Sequence, residues 1–319
     1  MYKIKLSISG NWPIERQLSN IKVLHEGYNF HINNEVEECD YWFVFNYLNN
    51  DFEKTFCPKE NVILIAPEPK HVQKYYTSYL KQFSLVISNQ KNLNHHNNLL
   101  YQTSAPWFIK KNFDELYENN EIKKTKNLSI ITSNKIFTKE HKKRYNFALA
   151  IKKHFKDKVD LFGRGINNFE DKWDVISPYK YTIAIENGSY NDYFTEKLTD
   201  SFLSMTYPIY YGCPNLNKYF SEESFTRIDI ENLNYSINII DEVISNTNFY
   251  NNHINSIIES KNLCLKEYNL FNLIIRTIKL LKNSNISEKK NILLRNKHNN
   301  FFTFLERAEY KTRSIIHNI

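Results

Sequence analysis

The stretch YTIAIENGSYNDYFTEKLTDSFLSMTYPIYYGCPNLNKYF, from Tyr181 to Phe220, joins two short apolar runs by a polar loop and an amphipathic segment. The chain has 319 residues and only 6 glycines, and four of these lie in or just before the stretch: Gly163, Gly165, Gly188 and Gly212. Glycine is favoured where the backbone needs a positive φ angle or a close approach. We therefore expect a tightly turned functional site here.

The polar loop of this stretch lies between a strand and a helix. The predicted strand Ile183–Ile185 ends at Glu186 and Asn187, and a helix opens near Thr195, with Thr195 or Asp192 as its N-cap. A helix amino terminus with a lysine in its first turn suits an anion, and a carboxylate beside it can accept from ribose hydroxyls. Glu196 and Lys197 therefore indicate a nucleotide site, although a capping glutamate beside a solvated lysine explains the residues equally well.

The first third of the chain alternates short apolar runs with polar segments. Buried strands are predicted at 2–8, 41–48, 61–67 and 84–90, and a helix at 70–83, where Val72, Tyr75, Tyr76, Tyr79 and Leu80 lie near helical spacing. Strands separated by helices favour a parallel sheet. A polar, charged segment, 105–127, follows and is interpreted as a linker with a short helix.

A second α/β series begins after this segment. Strands are predicted at 128–134, at VDLFGRG, at YTIAIEN and at YPIYYG, and the chain is predicted to be mostly helical from about Glu231. Lys139–Phe155 is predicted as an amphipathic helix with Phe147, Leu149, Ala150 and Phe155 on its apolar side. Two such series predict two Rossmann-like domains facing a cleft, with ligands at the carboxyl ends of the strands.

Composition narrows the class of protein. The apolar fraction of 41% supports a large core, and the net charge of +7 suggests an anionic partner such as a phosphate or a membrane surface. The four cysteines show no zinc-binding spacing, so free thiols in a reducing compartment are expected. The chain contains no run of 18 apolar residues and no signal-peptide pattern at its start, which predicts a cytoplasmic protein.

The spacing within the quoted stretch resembles the signature of glycosyltransferase family 10, the α-1,3/4-fucosyltransferases. In that family an EN pair after a strand is followed by YxTEK, an apolar helix, PIYxG.P and SF. This chain carries these motifs in the same order and at matching spacing: Glu186-Asn187, Tyr193-Phe194-Thr195-Glu196-Lys197, Pro208 to Pro214, and Ser224-Phe225. The match covers about forty residues with many fixed offsets, so it is specific.

The resemblance extends upstream with fewer matching residues. Family members carry SN at the end of a strand and then a basic residue on a helix that holds a donor phosphate; Ser133-Asn134 and Arg144 take these places. The family also carries a general-base carboxylate beside a proline, which the resemblance assigns to Glu68 in LIAPEPK. Arg144 and Glu68 also have simpler interpretations. Arg144 can be a solvated helix residue, and Glu68 can be an exposed residue of a turn.

The resemblance implies a GT-B fold, in which two Rossmann-like domains face a cleft and a helical tail follows. The implied division is an acceptor-binding domain at 1–115, a linker at 116–127, a GDP-sugar-binding domain at 128–282 and a basic helical tail at 283–319. The implied reaction is an inverting transfer of L-fucose from GDP-fucose to a glycan hydroxyl, in lipopolysaccharide biosynthesis or protein glycosylation.

The resemblance also implies a role for each site residue. Glu68 is the general base, Arg144 and Lys197 stabilise the GDP leaving group, and Asn187, Tyr193 and Glu196 orient the donor. Glu186 either faces the fucose or pairs with a cation. The chain has no DxD motif, and two cations can replace a metal at the diphosphate, so no metal or other cofactor is expected.

The carboxyl-terminal stretch 276–319 carries 10 Lys or Arg residues and 3 Glu. Its net charge of +7 equals the net charge of the whole chain. Apolar and aromatic residues are interleaved with these charges, so a peripheral contact with an anionic membrane is one interpretation, and a helix packed on the body is the other. No nucleic-acid motif accompanies the charge, and no nucleic-acid partner is expected.

Two other functions remain open from the residues alone. The same fold could use a different GDP-sugar, because the residues that recognise fucose are not marked by a motif. A non-catalytic nucleotide- or glycan-binding protein could also keep the fold. The joint presence of Glu68, Arg144 and Lys197 favours an enzyme, because a protein that only binds has no need of a base.

Overall fold

The structure is a computed structural model that describes residues 1–20, 25–119, 121–134, 138–281 and 287–296. The chain forms two compact units. The first contains 1–12, 21–103 and 273–319, and the second contains 13–20 and 104–272. The chain therefore leaves and re-enters each unit.

The first unit is built on a six-stranded sheet in which every neighbouring pair is parallel. Its strand order is β2-β1-β3-β5-β6-β7. The strands are β1 (Tyr2–Ile8), β2 (Tyr28–Ile32), β3 (Tyr41–Phe45), β5 (Val62–Ala66), β6 (Leu85–Ser88) and β7 (Asn98–Leu100). A separate antiparallel ribbon pairs β4 (Phe52–Cys57) with β13 (Lys290–Arg295). The central strands β3 and β5 are buried throughout, as expected for a parallel sheet covered on both faces.

The second unit is built on a five-stranded parallel sheet of order β12-β11-β10-β8-β9. Its strands are β8 (Lys126–Ile131), β9 (Val159–Phe162), β10 (Tyr179–Ile185), β11 (Tyr207–Tyr211) and β12 (Thr226–Arg227). Ile183 of β10 lies between Ile130 and Ile209 of the adjacent strands, in the centre of the core. In both sheets the second strand lies on one side of the first and the third on the other. Such a reversal creates a crevice at the carboxyl ends of the first and third strands.

Helices cover the sheet of the second unit. They are α2 (Phe113–Glu118), α3 (Lys139–Phe155), α4 (Glu196–Leu203), α5 (Leu233–Ser245), α6 (Phe249–Asn252) and α7 (Ile254–Lys266). Helix α8 (Leu270–Leu281) ends the helical run that the sequence predicted from about Glu231, and the short helix α1 (Thr77–Leu80) belongs to the first unit. The α/β class with two Rossmann-like sheets is therefore confirmed.

The buried face of α3 differs from the predicted one. Leu149 is exposed, whereas Arg144, Phe147, Ala148, Ile151 and Phe155 are buried. These buried positions recur every three or four residues, which places them on one side of a helix. Leu149 is two residues from Phe147 and therefore lies on the opposite side. The correction matters because it places Arg144 on the inward face.

The helix predicted at 70–83 is wrong for most of its length, because only Thr77–Leu80 is helical. Tyr75, Tyr79 and Leu80 are still buried in the core of the first unit. The main chain before them is held by side chains, since Tyr47 Oη donates to the Lys74 carbonyl at 3.3 Å and Gln90 Nε2 donates to the Gln73 carbonyl at 3.3 Å. Such side-chain bonds compete with helical ones.

The predicted helical tail also needs correction. Residues 290–295 form β13, a strand paired with β4, and Leu294 is buried in the core of the first unit. Residues 283–286 and 297–319 of the predicted tail lie outside the described residues. The membrane contact predicted for 276–319 remains untested.

The observed units differ from the predicted bounds of 1–115 and 128–282. Residues 104–115 and 13–20 belong to the second unit, and 273–282 belong to the first. Segment 105–116 packs as core, because Trp107, Ile109, Phe113 and Leu116 are all buried. It is tied to α4, since the Phe108 N–H donates to both oxygens of Asp200 at 3.2 Å.

All four cysteines are free and buried. Among the described helices, none combines the length and the hydropathy that crossing a membrane requires.

Candidate functional site

The crevice of the second unit lies at the carboxyl ends of β8 and β10, where the strand order reverses. Ser133 follows β8, and Glu186 and Asn187 follow β10. Ligands of open α/β sheets bind at this position. The sheet thus brings together two motifs that lie about fifty residues apart in the sequence.

Arg144 on α3 reaches this crevice from its buried side. Its Nη1 donates to Asn187 Oδ1 at 2.5 Å, and its Nη2 lies 3.4 Å from Ser133 Oγ. Arg144 is 7% exposed, and its Nε is buried without a hydrogen-bond partner among the described residues. Burial lowers the pKa of Arg144, while Glu186, Glu196 and Tyr193 oppose that shift. Guanidinium remains charged in proteins, so a buried cation with a free N–H faces the end of the sheet.

Glu186 is the anchor of the loop that follows β10. Its Oε1 accepts from the Thr195 N–H at 2.7 Å, its Oε2 accepts from the Thr195 hydroxyl at 2.7 Å, and the same Oε2 lies 3.4 Å from Lys197 Nζ. The residue is 1% exposed, and burial raises the pKa of its carboxyl against the opposing charge of Lys197. Of the two interpretations left open for Glu186, the structure therefore supports pairing with a cation.

The amino terminus of α4 holds the remaining charged residues. Of the two predicted N-caps, Thr195 and Asp192, the structure shows Thr195, whose hydroxyl accepts from the Lys197 N–H at 3.4 Å. Lys197 Nζ lies 3.2 Å from Glu196 Oε1 in addition to its contact with Glu186. Burial opposes the charge on Lys197, but these two carboxylates outweigh it and raise its pKa. Lys197 is therefore neutralised within the protein, whereas the named hydrogen bonds of Arg144 go to neutral groups.

Glycines allow these elements to approach each other. A Cβ on Gly212 would lie 2.3 Å from Tyr210 Oη and 2.5 Å from Glu186 Cγ. A Cβ on Gly163 would lie 1.4 Å from the Thr132 carbonyl oxygen, beside the loop that follows β8. Neither position can hold a larger residue without a shift of the backbone or of Glu186. This explains the concentration of glycine in one part of the sequence.

Tyr193 lies in a loop fixed from the other side by Asp192. The Asp192 carboxylate accepts from Asn215 Nδ2 at 3.0 Å, from Lys218 Nζ at 3.0 Å and from the Tyr219 hydroxyl. Burial opposes ionisation of Asp192, but these hydrogen bonds outweigh it and lower the pKa. Asp192 adopts a φ of 59°, a left-handed conformation that aspartate tolerates. The loop thus holds Tyr193 in a buried position, 2% exposed.

A second ion pair, between Lys172 and Asp200, holds α4 in place. Lys172 Nζ lies 2.7 Å from Asp200 Oδ2 and donates to the Glu196 carbonyl at 3.1 Å. Asp200 is fully buried, and burial raises its pKa to about 6. Sequence reasoning missed Asp200 and Lys172, because their separation of 28 residues matches no motif. In the sequence Asp200 continues the charged positions Glu196 and Lys197 at helical spacing, so nothing marked it as buried.

The predicted donor-binding residues lie together in the second unit, whereas the predicted base lies in the first. Arg144, Glu186, Asn187, Glu196 and Lys197 meet at one end of the second sheet, joined by the contacts above. Glu68 lies in the first unit, two residues after β5 ends at Ala66, and is half-buried. Its main-chain carbonyl accepts from Gln90 Nε2 at 2.8 Å, which holds its loop against the loop after β6.

Comparison with known proteins shows which family the motif region matches. Residues 122–258 match the family described as Glycosyltransferase family 10 (fucosyltransferase) C-term. The chain is 34% identical over 84 residues to the Alpha-(1,3)-fucosyltransferase FucT of Helicobacter pylori, covering 26% of this chain and 18% of that protein. It is 34% identical over 53 residues to the GDP-fucose protein O-fucosyltransferase 3 of Danio rerio, covering 17% of this chain and 12% of that protein. The matched stretches thus span less than a fifth of either curated relative.

Solved structures show the fold over most of the chain. A crystal structure of an α1,3-fucosyltransferase with GDP-fucose aligns with a TM-score of 0.51 and 22% identity, covering 91% of this chain and 93% of that one. A structure of an α1,3-fucosyltransferase with GDP aligns with a TM-score of 0.51 and 21% identity, covering 89% and 91%. The predicted GT-B fold class is confirmed. The resemblance predicted from the motifs is confirmed as well: residues 122–258 match the carboxyl-terminal domain of glycosyltransferase family 10.

Proposed function

We propose that this chain is an inverting fucosyltransferase that moves L-fucose from GDP-fucose to a hydroxyl of a glycan acceptor. The observation that carries the proposal is the buried Arg144 guanidinium, held by Asn187 at the reversal point of a parallel sheet inside the matched region. The curated relatives named above are fucosyltransferases, one of them named for GDP-fucose. This supports GDP-fucose as the donor over another GDP-sugar.

The donor diphosphate is assigned to Arg144 and Lys197. Arg144 offers a planar fork with an unpartnered N–H, which suits two phosphate oxygens. Lys197 lies at the N-terminus of α4, where the helix dipole adds positive potential. Because Glu186 and Glu196 already neutralise Lys197, Arg144 supplies the larger part of the charge that faces the leaving group. Glu186 acts by positioning Thr195 and Lys197.

The sugar and nucleoside are assigned to the neighbouring polar side chains. Glu196, 19% exposed at its side chain, is placed to accept from the ribose diol, and Asn187 and Tyr193 orient the donor. Hydrogen bonds and charges from Lys197 and Lys172 lower the pKa of Glu196 although burial opposes this, so the carboxylate stays an acceptor at neutral pH. A deprotonated carboxylate accepts from both hydroxyls of a diol.

The chemical step needs a base as well as a stabilised leaving group. The acceptor oxygen attacks the anomeric carbon from the face opposite GDP, the bond from that carbon to the phosphate oxygen breaks, and GDP leaves with the electron pair. The acceptor proton passes to Glu68 in this proposal. Negative charge that develops on the diphosphate is met by Arg144 and Lys197, so no metal ion is assigned to the reaction.

The proposal is tested by direct transfer. The purified chain is incubated with GDP-fucose and a panel of neutral oligosaccharides, and released GDP and fucosylated product are measured by mass spectrometry. Product with an inverted anomeric configuration, identified by NMR, supports the proposal. Transfer from GDP-mannose in preference to GDP-fucose would establish the alternative donor, and donor binding without any transfer would establish a binding protein.

A further inference from the structure

Two of the four free cysteines, Cys39 and Cys57, lie side by side in the first unit. Glu38 and Phe56 form a parallel β-bridge. The Cys39 N–H donates to the Phe56 carbonyl, and the Phe56 N–H donates to the Glu37 carbonyl, both at 2.9 Å. Cys39 and Cys57 therefore occupy the next pair of opposite positions after this bridge, one on each of two hydrogen-bonded segments.

Both thiols point to the buried side of these segments. Successive side chains of an extended segment alternate between its two faces, and those at opposite positions share a face. Glu38 and Phe56 are exposed on one face. Cys39 and Cys57 are both 0% exposed on the other. Neighbouring strands lie about 4.8 Å apart, and a disulfide spans Cα atoms about 4.4–6.8 Å apart, so the backbone geometry admits a disulfide between the two cysteines.

The two thiols differ in acidity. A hydrogen bond from the Cys57 thiol lowers the pKa of Cys39, against the opposing effect of burial. The Thr55 hydroxyl, the Lys5 N–H and the positive charge of Lys5 lower the pKa of Cys39 further. The hydrogen bond between the two thiols and burial both raise the pKa of Cys57. The thiolate is the nucleophilic form of cysteine, so Cys39 is the thiol that attacks an oxidant and Cys57 is its resolving partner.

A small oxidant can approach Cys39 from a cavity of about 530 Å³ in the first unit. Lys5 and Thr55, which contact Cys39, also line this cavity. Cys213 and Cys264 lie in the second unit, and burial raises the pKa of both thiols. Because cysteine reactivity follows a lowered pKa and a route to solvent, oxidation is expected at the pair in the first unit.

We propose that Cys39 and Cys57 form a redox-sensitive dithiol, which a small peroxide converts to a disulfide. The Cys39 sulfur attacks one peroxide oxygen, the O–O bond breaks, and Cys39 becomes a sulfenic acid as the first water leaves. The Cys57 sulfur then attacks the Cys39 sulfur, the S–S bond forms, and the S–O bond breaks as the second water leaves. Two thiols are oxidised, and one hydrogen peroxide is reduced to two waters.

The disulfide joins the segment before β3 to the end of β4. Cys39 lies two residues before β3, and Cys57 is the last residue of β4, which also pairs with β13. A cross-link reduces the number of conformations open to the unfolded chain, which stabilises the folded state. The oxidised chain is therefore expected to unfold at a higher temperature than the reduced chain.

The test is a thiol map of the full chain before and after hydrogen peroxide. Remaining thiols are blocked with a maleimide under denaturing conditions, and the chain is digested with trypsin. All four cysteines fall on different tryptic peptides, with Cys39 on 23–54 and Cys57 on 55–59. Peroxide should link these two peptides, at the sum of their masses less two hydrogens, and dithiothreitol should release them. The peptides of Cys213 and Cys264 should still carry the maleimide.

Three serine variants separate the roles of the thiols. Cys57→Ser should stop at a sulfenic acid on Cys39, which dimedone traps, whereas Cys39→Ser should leave Cys57 as a thiol. Cys264→Ser is the matched control, because Cys264 is also buried, at 2% exposed, and its loss should leave the yield of the disulfide unchanged.

The wild-type map decides the proposal even if a variant fails to fold. The proposal is overturned if peroxide links neither peptide 23–54 nor 55–59, or if it links other cysteines as readily. It is also overturned if the link forms only in urea, or if the oxidised chain melts no higher than the reduced one. None of these outcomes depends on fucose transfer.

Discussion

The two units differ in how their polar residues are held. In the second unit, charged side chains bind each other: Glu186 is fixed by Thr195 and Lys197, and Arg144 by Asn187. In the first unit, Glu68 lies half-buried in a loop that Gln90 Nε2 holds through the Glu68 main-chain carbonyl. A preorganised charged site suits a highly charged ligand such as a nucleotide diphosphate. General-base catalysis needs only a carboxylate within reach of the acceptor hydroxyl, which is the role proposed for Glu68.

The largest effect is expected for Glu68→Gln, which tests the first unit alone. Glutamine keeps the size of the side chain and cannot take a proton, so kcat for fucose transfer should fall by about 10²–10⁴-fold. The affinity for GDP-fucose should stay nearly constant, because the lost interaction develops in the transition state. Steady-state kinetics and calorimetry measure the two quantities.

Glu26→Gln is the matched control, since Glu26 is an exposed glutamate of the same unit. It should leave kcat unchanged. A Glu68→Gln enzyme within a few-fold of wild type would assign the base to another carboxylate.

A smaller loss is expected for Arg144→Ala, which tests the second unit. Removing a charged hydrogen-bond donor should weaken GDP binding roughly 10- to 100-fold, measured by isothermal titration calorimetry. Arg144→Lys should recover only part of the loss, because lysine keeps the charge without the planar fork that binds Asn187. Lys197→Ala should weaken GDP binding less, since Lys197 is already neutralised by Glu186 and Glu196.

Lys153→Ala provides the control for this series, because Lys153 is exposed on the same helix α3. Its GDP affinity should equal that of the wild type. If Arg144→Ala binds GDP as tightly as Lys153→Ala, the phosphate assignment of Arg144 is wrong.

Gly212→Ala tests whether the close packing behind Glu186 is needed. The new Cβ would lie 2.5 Å from Glu186 Cγ, so the free energy of unfolding should fall by about 1–3 kcal/mol and GDP binding should weaken. Chemical denaturation and calorimetry measure these changes. Gly27→Ala is the comparison: its φ of +86° strains an alanine, but among the described residues other than its chain neighbours no atom lies within 4 Å of the new Cβ. Gly27→Ala should reduce stability without changing GDP affinity. If Gly212→Ala and Gly27→Ala changed GDP affinity equally, the packing of Gly212 behind Glu186 would not be needed for GDP binding.

The smallest effect is expected from removal of metal ions. Transfer should proceed unchanged in excess EDTA, because Arg144 and Lys197 provide the positive charge at the diphosphate. Initial rates with and without EDTA measure this. Loss of activity that Mn²⁺ restores would show that the charge of the second unit is insufficient by itself.

The sequence predicted the second unit better than the first, for a physical reason. Glu186 at the end of β10 contacts Thr195 and Lys197 at the start of α4, so these residues need a fixed spacing in the sequence. That spacing makes them a recognisable motif. Helix α3 was predicted with its observed bounds because its capping and spacing are local. The inward position of Arg144 also follows from its spacing to Phe147 and Ile151, although Leu149 was assigned to the wrong face.

The errors fall where long-range contacts decide the structure. The segment 70–83 has helical spacing, but side chains from β3–β4 and β6–β7 loops bind its main chain. Strand β13 forms only because β4, more than two hundred residues earlier, offers an edge to pair with. Likewise, no local pattern could associate Asp192 with Asn215 or Lys172 with Asp200.

The most direct test of the central claim is the melting temperature of the chain with GDP-fucose, GDP-mannose and UDP-glucose. A ligand that binds only the folded state raises the melting temperature, and the stabilisation grows with the logarithm of its concentration divided by its Kd. GDP-fucose should give the largest rise, UDP-glucose none, and Arg144→Ala should lose most of the rise while Lys153→Ala keeps it. A rise with UDP-glucose and none with GDP-fucose, or an equal rise in both variants, would contradict a GDP-sugar site at the end of the second sheet.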